Sequence, residues 1–383
     1  MTNSSLSSVR SRIFLGLALV LAGCAPDDGS RDLALGRSAY EAHDLKKAER
    51  CFEKSLQRAP TNVETLVCLA QVKLDLGELG AAQELVVKAS VREPDAVDIA
   101  LLRAQIEYHA KDFEAAARDF NAIADDAALP ATLRAQGLVG LGIVEMSRNN
   151  HHLARLAFLR AIRMDRREAS AWYHLGLLYG DAFGYAEAAL EQFEVFVRLD
   201  EVASPRVQRV QHSVIPALRD SITRAMTDRP GVDKRNSSTS ADALAKAEAA
   251  WKKGAFKTAR QHYEAAFKAD PLSYPAALGL AKAWEKTDSS KAGLNNALAN
   301  YKLACTLRPS AISTFVTAGA LALKLNMAGQ AEMFYSRAVA ANPNSLDALD
   351  GLIRALRKAG AKNNIAQAYQ AYRDSIAAAR KKK

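Results

Sequence analysis

The side chains best suited to chemistry are few and scattered. Histidines stand at 43, 109, 151, 152, 174, 212 and 262, and cysteines at 24, 51, 68 and 305. His151 and His152 are adjacent, in what reads as a short turn between two helices. Neighbouring imidazoles are good metal ligands, but nothing close in sequence completes a site. No cysteine pair has metal-site spacing, and neither a Gly-rich phosphate loop nor a nucleophile elbow occurs. Cys51 and Cys68 fall on neighbouring helices and are expected as packed free thiols, with a disulfide as the alternative. Cys305 has no candidate partner. No catalytic residue, cofactor, metal or small-molecule substrate is expected.

The chemistry therefore lies in the surfaces that the elements build. The chain has 383 residues, 49% of them hydrophobic, with 20 Gly and 11 Pro. That length suits two or three domains, and the apolar fraction excludes wholesale disorder. No apolar run reaches the roughly 20 residues of a spanning helix, which excludes a polytopic membrane protein. Abundant Ala, Leu, Glu, Lys and Arg favour helices throughout. Charge is uneven: residues 1–200 carry a net −5 and residues 201–383 a net +15. Two units with different surfaces are expected, the second suited to acidic partners.

Internal periodicity supplies the elements. A small residue precedes a large one by four positions at Ala48/Phe52, Ala82/Val86, Ala116/Phe120, Ala154/Phe158 and Ala189/Phe193. The pattern returns at Ala259/Tyr263, Ala297/Tyr301, Ala331/Tyr335 and Ile365/Tyr369. Successive steps are 34, 34, 38 and 35, then 38, 34 and 34. Prolines follow the small residue by twelve positions at Pro60, Pro94, Pro271, Pro309 and Pro343, where each would end a helix. Upstream, Leu35-Gly36, Leu69-Ala70, Leu141-Gly142, Leu175-Gly176 and Leu280-Ala281 mark a second helix. Trp172, Leu175, Gly176, Tyr179, Gly184, Ala189 and Phe193 form the clearest unit.

With this period and these residues the chain resembles the tetratricopeptide-repeat proteins. The resemblance implies an all-α solenoid of about nine helix pairs in two arrays. The first array is expected over 31–203 and the second over 240–383, with a basic tail from Arg380. Pro130 stands two positions late for the third repeat, and the seventh is expected to carry a longer inter-helix turn over 287–292. Ser204-Pro205 opens a predicted capping helix over 204–226, kinked at Pro216. Residues 227–239 read as a linker.

The N-terminus reads as an address. Arg10 and Arg12 precede the apolar run Ile13–Leu21, which has the length of a signal-peptide core. Leu21-Ala22-Gly23-Cys24 resembles the lipobox of bacterial lipoproteins. The resemblance implies removal of 1–23, lipid attachment at Cys24 and a tether over 24–30. Ala25 in place of an inner-membrane retention aspartate favours the outer membrane, facing the periplasm.

In the repeat family, positions 2, 5, 9, 12 and 13 of each unit line a concave face. In the first array these include Tyr40, Leu74, Tyr108, Val139, Ile143, Met146, Tyr173 and Leu177, expected as an apolar groove for a helix or extended peptide. In the second they include Lys252, Lys282, Lys286, Lys324, Arg354, Arg357 and Lys358, expected as a basic stripe for carboxylates. The resemblance implies a non-catalytic scaffold whose partners are other proteins of the cell envelope. Its known members assist pili, secretins, outer-membrane proteins or cell-wall machinery. A holdase chaperone using the apolar groove is the alternative. Nucleic acid is not an expected partner.

Overall fold

A computed structural model describes residues 29–200, 204–228, 232, 235–361 and 363–381. The N-terminal address, including Cys24, lies outside the described residues, as do residues 229–231 and 233–234 of the expected linker, whose last three residues open helix Ser237–Lys252. Among the described residues there are 19 helices and no strand, counting the contiguous segments over 205–227 as one helix. Eighteen of them form nine antiparallel pairs. In the first four pairs, helices Ser30–Glu41, Val63–Asp75, Val97–His109 and Ala131–Ser147 are followed by Leu45–Arg58, Leu79–Arg92, Phe113–Asp125 and His151–Met164. The fifth pair joins Ala169–Leu177, with a π-helical turn at Leu178–Ala182, to Ala186–Leu199. The last four open with Ser237–Lys252, Tyr274–Thr287, Ile312–Lys324 and Leu346–Lys358. Their second helices are Phe256–Ala269, Lys291–Leu307, Ala328–Ala341 and Asn363–Lys381. The chain divides into two compact units, 1–174 and 175–383.

One packing device repeats. In six second helices the aromatic needs a hole, and glycines on first helices provide it. A Cβ at Gly36, Gly142, Gly176 or Gly319 would strike Phe52, Phe158, Phe193 or Tyr335 of the same pair. A Cβ at Gly140, Gly279 or Gly351 would strike Phe120, Tyr263 or Tyr335 of the preceding pair. Tyr335, 1% exposed, is therefore clasped from both sides. Filling such holes to crystal-like density makes each repeat depend on its neighbour. The small residues Ala48, Ala82, Ala116, Ala154, Ala189, Ala259, Ala297 and Ala331 are all fully buried.

Helix ends follow local chemistry. Second helices stop at Arg58, Arg92, Ala269, Leu307 and Ala341, each two residues before one of the periodic prolines. Within eight of the nine pairs the turn contains one residue of positive φ: His43, Gly77, Lys111, Asn149, Gly184, Gly254, Asn326 and Gly360. The seventh pair differs, with Asp288 at φ −145°.

The irregular steps are absorbed inside helices. Pro130 does not end a helix late; it sits at the N-cap of Ala131–Ser147, which has 17 residues against 13 in Val97–His109. In the seventh pair the expected long turn is only residues 288–290, and the second helix has 17 residues against 14 in the sixth. Three or four extra residues make about one helical turn, so they lengthen a helix without disturbing either face. The single extra residue of the fifth repeat becomes its π turn, the usual form of a one-residue helical insertion.

Ser204 Oγ accepts from the Val207 N–H at 3.2 Å, and Pro205 is the first helical residue. A π turn at Val210–Val214 stands just before Pro216, whose ring cannot donate in a regular helix. Helix Ile215–Thr227 packs on Ala186–Leu199, where Arg219 Nη2 meets Glu194 Oε1 at 2.7 Å. Helix Ala186–Leu199 also meets Ala328–Ala341: Arg337 pairs with Glu187 and lies over the rings of Tyr185 and Phe315, at 5.3 and 5.4 Å from their centroids.

Candidate partner-binding surfaces

The residues expected to form an apolar groove do not share one fate. Leu74, Val139 and Ile143 are core residues, 5%, 0% and 2% exposed, and do not line a surface. Leu74 packs with Leu66, Ala70, Val86, Leu102 and Ile106. Apolar side chains at these positions fill the space between the first helices of adjacent pairs, where burial of each contributes about 2 kcal/mol. Tyr40, Tyr108, Met146, Tyr173 and Leu177 are half-buried. Tyr40 donates to Asp75 Oδ2 at 2.8 Å, and Gln71 Nε2 donates to Asp75 Oδ1 at 3.0 Å. The Tyr108 hydroxyl lies 2.9 Å from Ser147 Oγ, and its ring packs against His109 and Phe113. These tyrosines tie one repeat to the next through polar contacts.

Several cations of the first unit are paired with carboxylates. Lys73, in the last turn of its helix, meets Glu49 at 2.5 Å and Glu78 at 2.8 Å, and these carboxylates hold its ammonium well above the usual lysine range. Lys73 in turn holds the Glu49 carboxyl below its ordinary value. Arg37 pairs with Glu64, Arg103 with Asp119 at 2.5 Å, and Arg148 with Glu114 at 2.6 Å.

All seven residues of the basic stripe are exposed. None of Lys252, Lys282, Lys286, Lys324, Arg354, Arg357 and Lys358 makes an ion pair among the described residues. Lys252, Lys286, Lys324 and Lys358 occupy one register, the last turn of the first helix, in all four final pairs. At that register the first array has Glu41, Asp75, His109 and Ser147. Lys282 and Arg354 lie one turn earlier on the faces of Lys286 and Lys358. Lys358 Nζ reaches the Leu323 carbonyl of the preceding pair at 3.1 Å. Arg260 adds charge beside the row, with its Cζ 4.0 Å from the Trp284 ring centroid and Nη1 3.0 Å from Thr287 Oγ1.

Two of the nearby carboxylates are engaged elsewhere. Asp350 accepts from Arg373 at 2.9 and 3.2 Å, and Glu285 accepts from the Tyr301 hydroxyl at 3.1 Å. The carbonyl ends of the helices favour lysine at this register, typically by about 0.5 kcal/mol. That explains single lysines; it does not require four exposed ones without counter-charge.

The remaining candidates are structural. His151 and His152 are the first two residues of helix His151–Met164, not part of the turn. His152 Nδ1 lies 3.3 Å from Nη2 of the fully buried Arg155, a cation that sequence reading missed because one arginine among apolar neighbours carries no periodic signal. His174 stacks on Phe158 at 5.7 Å. No group of three His, Cys, Asp or Glu is placed to hold a metal among the described residues. Cys51, Cys68 and Cys305 are free, and burial pushes the thiols of Cys68 and Cys305 up to about 11 and about 12. Among the described residues no helix is long and apolar enough to cross a membrane.

Stacked helix pairs joined aromatic-to-glycine define an α-solenoid of repeats. Tetratricopeptide-repeat models match residues 39–106, 139–203 and 244–311, just over half of the chain, and the protein belongs to that family. The family is typically non-catalytic, and no catalytic domain is matched. No protein of curated function matches the chain. Among solved structures, it is similar to MamA at 22% identity over 49% of this chain and 97% of that one, with a TM-score of 0.34. PilF of Pseudomonas aeruginosa gives 17% over 52% and 92%, TM-score 0.40. PilW, described as a widely conserved type IV pilus biogenesis factor, gives 15% over 54% and 97%, TM-score 0.41. Likenesses this distant carry no argument about function.

Proposed function

We propose that the protein is an interaction scaffold of the bacterial cell envelope, tethered by lipids on Cys24 and binding one or two envelope proteins through its second array. The observation that carries the binding role is the row of exposed, unpaired cations at one register of four successive repeats. The location rests on the order of Arg10 and Arg12, the apolar Ile13–Leu21 and the Leu-Ala-Gly-Cys run. Acyl chains would hold such a tether firmly, at about 0.8 kcal/mol per buried methylene. The outer membrane, with the arrays in the periplasm, is the proposed site. The burial of Leu74, Val139 and Ile143 removes three of the eight residues on which a holdase reading would depend.

Fractionation and crosslinking test both parts. The wild type is expected in the membrane fraction and to incorporate labelled fatty acid, and Cys24→Ala to lose both. Crosslinked membranes should capture one or two proteins, lost on charge reversal of Arg354, Arg357 and Lys358. A wild type found soluble in the cytosol would overturn the location. Diffuse capture indifferent to the reversal would overturn the scaffold role.

A further inference from the structure

The first pair leaves one face open. Leu69 and Leu141, at the Leu-Ala and Leu-Gly steps of the second and fourth pairs, are 4% and 8% exposed. Leu69 packs with Leu33, Ala48 and Phe52 of the first pair, and Leu141 with Ala116 and Phe120 of the third. Leu35 holds the same place in the first pair, before Gly36, and is 46% exposed. Among the described residues the other large apolar side chains so exposed are Val87 and Val91. Arg37 and Tyr40 meet Glu64 and Asp75 of the second pair. Two positions along a helix turn a side chain by about 200°, so Leu35 and, one turn back, Arg31 lie on the far side. In the second helix Glu49 and Glu53 reach Lys73 of the second pair. Lys47 stands two positions before Glu49, and Lys54 two before Leu56, which packs on the second-pair core, so both lysines share the open side. Arg31, Lys47 and Lys54 are exposed, and none makes an ion pair among the described residues. The other acids of the pair do not oppose them: Glu41 lies one turn beyond Arg37 on its side, Asp32 pairs with Arg58, and Asp44 Oδ1 accepts from the Lys47 backbone N–H at 3.1 Å.

We propose that this open face of the first pair rests on an anionic phospholipid surface, with Leu35 at the boundary between headgroups and acyl chains and Arg31, Lys47 and Lys54 against phosphates. The inference rests on the lipid-anchor reading and adds a second contact to it. Two arguments select lipid as the occupant. Six residues separate Cys24 from Ser30, so an anchor at Cys24 holds the start of the first helix within about 20 Å of the bilayer. An apolar side chain ringed by cations without unpaired acids is the pattern that binds anionic interfaces. Terminal repeats of a solenoid need a polar outer face when they meet water; an apolar side chain here marks a covered face. A tether this short raises the local concentration of lipid at the face, so a contact too weak to recruit the chain alone still fixes its orientation.

The test places the lipidated full chain in vesicles of phosphatidylglycerol or of phosphatidylcholine whose acyl chains carry bromine, which quenches indole emission on contact. Leu35→Trp adds an indole on the open face, and Val91→Trp adds one at an exposed site of the second pair. In phosphatidylglycerol the indole added at 35 should be quenched at least about threefold more than the one added at 91, with unchanged helicity. Reversing Lys47 and Lys54 to glutamate should cut that excess at least about twofold, as should phosphatidylcholine, while the acyl chains keep the protein on the vesicles. A benzophenone side chain at position 35, irradiated in membranes, should yield lipid adducts. Equal quenching at 35 and 91, or an excess indifferent to both headgroup and charge reversal, would overturn the proposal. So would a protein adduct at 35, whether with a partner or with a second copy. If the wild type incorporates fatty acid but the indole at 35 is not quenched, the lipid-facing edge fails and the anchor stands. If no fatty acid is incorporated, both fail.

Discussion

Helix Val63–Asp75 carries Lys73 in its last turn, wedged between Glu49 and Glu78. Helix Ile312–Lys324 ends on Lys324, which is exposed and has no ion pair among the described residues. The two helices occupy equivalent places in the same repeat, and the backbone tolerates either arrangement. In the first array several charges are paired internally, as in Arg37–Glu64, Lys73–Glu49 and Arg103–Asp119, and adjacent repeats are stitched by Tyr40–Asp75 and Tyr108–Ser147. In the final pairs Asp350 and Glu285 are held by Arg373 and Tyr301, and the lysine row makes no ion pair among the described residues. A shared fold thus accepts, at the ends of its first helices, either side chains engaged with neighbouring repeats, as at Lys73 and Asp75, or an exposed lysine row.

The comparison can be broken from either side. The largest effect is expected from reversing Lys286, Lys324 and Lys358 together to glutamate. Partner binding should fall at least about 100-fold at low salt, with the helical circular dichroism spectrum unchanged. Next is a matched pair of neutral variants. Lys73→Met leaves Glu78 without its cation and Glu49 with Lys46 alone, and should lower the stability of the first unit by about 1–2 kcal/mol in urea unfolding. Lys324→Met should stay within about 0.5 kcal/mol of wild type. Equal losses would mean that both lysines are structural.

Acid should separate the halves in the same way. The folded-state Glu49 carboxyl is lowered, chiefly by its hydrogen bond from Lys73. Its contribution is therefore complete above the ordinary glutamate value of 4.5 and fades as pH falls from there through the lowered value. Unfolding midpoints measured from pH 7 to pH 3 should fall more for wild type than for Lys73→Met. The smallest effects concern the turns. Lys111 and Gly360 share a left-handed backbone position, at φ 64° and 75°. Lys111→Gly should gain, and Gly360→Ala lose, up to about 1 kcal/mol, read as opposite shifts in midpoint.

Much of this was legible in the residues. The spacing of Ala48/Phe52 and its eight counterparts gives nine pairs, and the prolines locate the ends of five second helices. The insertions were not legible. Three or four added residues roughly preserve helical phase and one can be taken up by a π turn, so neither leaves a loop composition. The stripe was readable because exposed lysines need no partner to be recognised as surface. The groove was misread because an apolar residue at helical spacing faces a neighbouring helix as readily as solvent; Leu74 and Ile143 pack, while Tyr40 and Tyr108 remain half-exposed through polar hydroxyl contacts.

Crosslinked capture from membranes, with equal charge reversals in the two arrays, tests the division of labour most directly. One variant reverses Lys286, Lys324 and Lys358; the other reverses the exposed Lys47, Lys54 and Lys88 of the first array. The account predicts that the first variant loses its partner and the second keeps it. Equal loss in both, or retention in both, would contradict it.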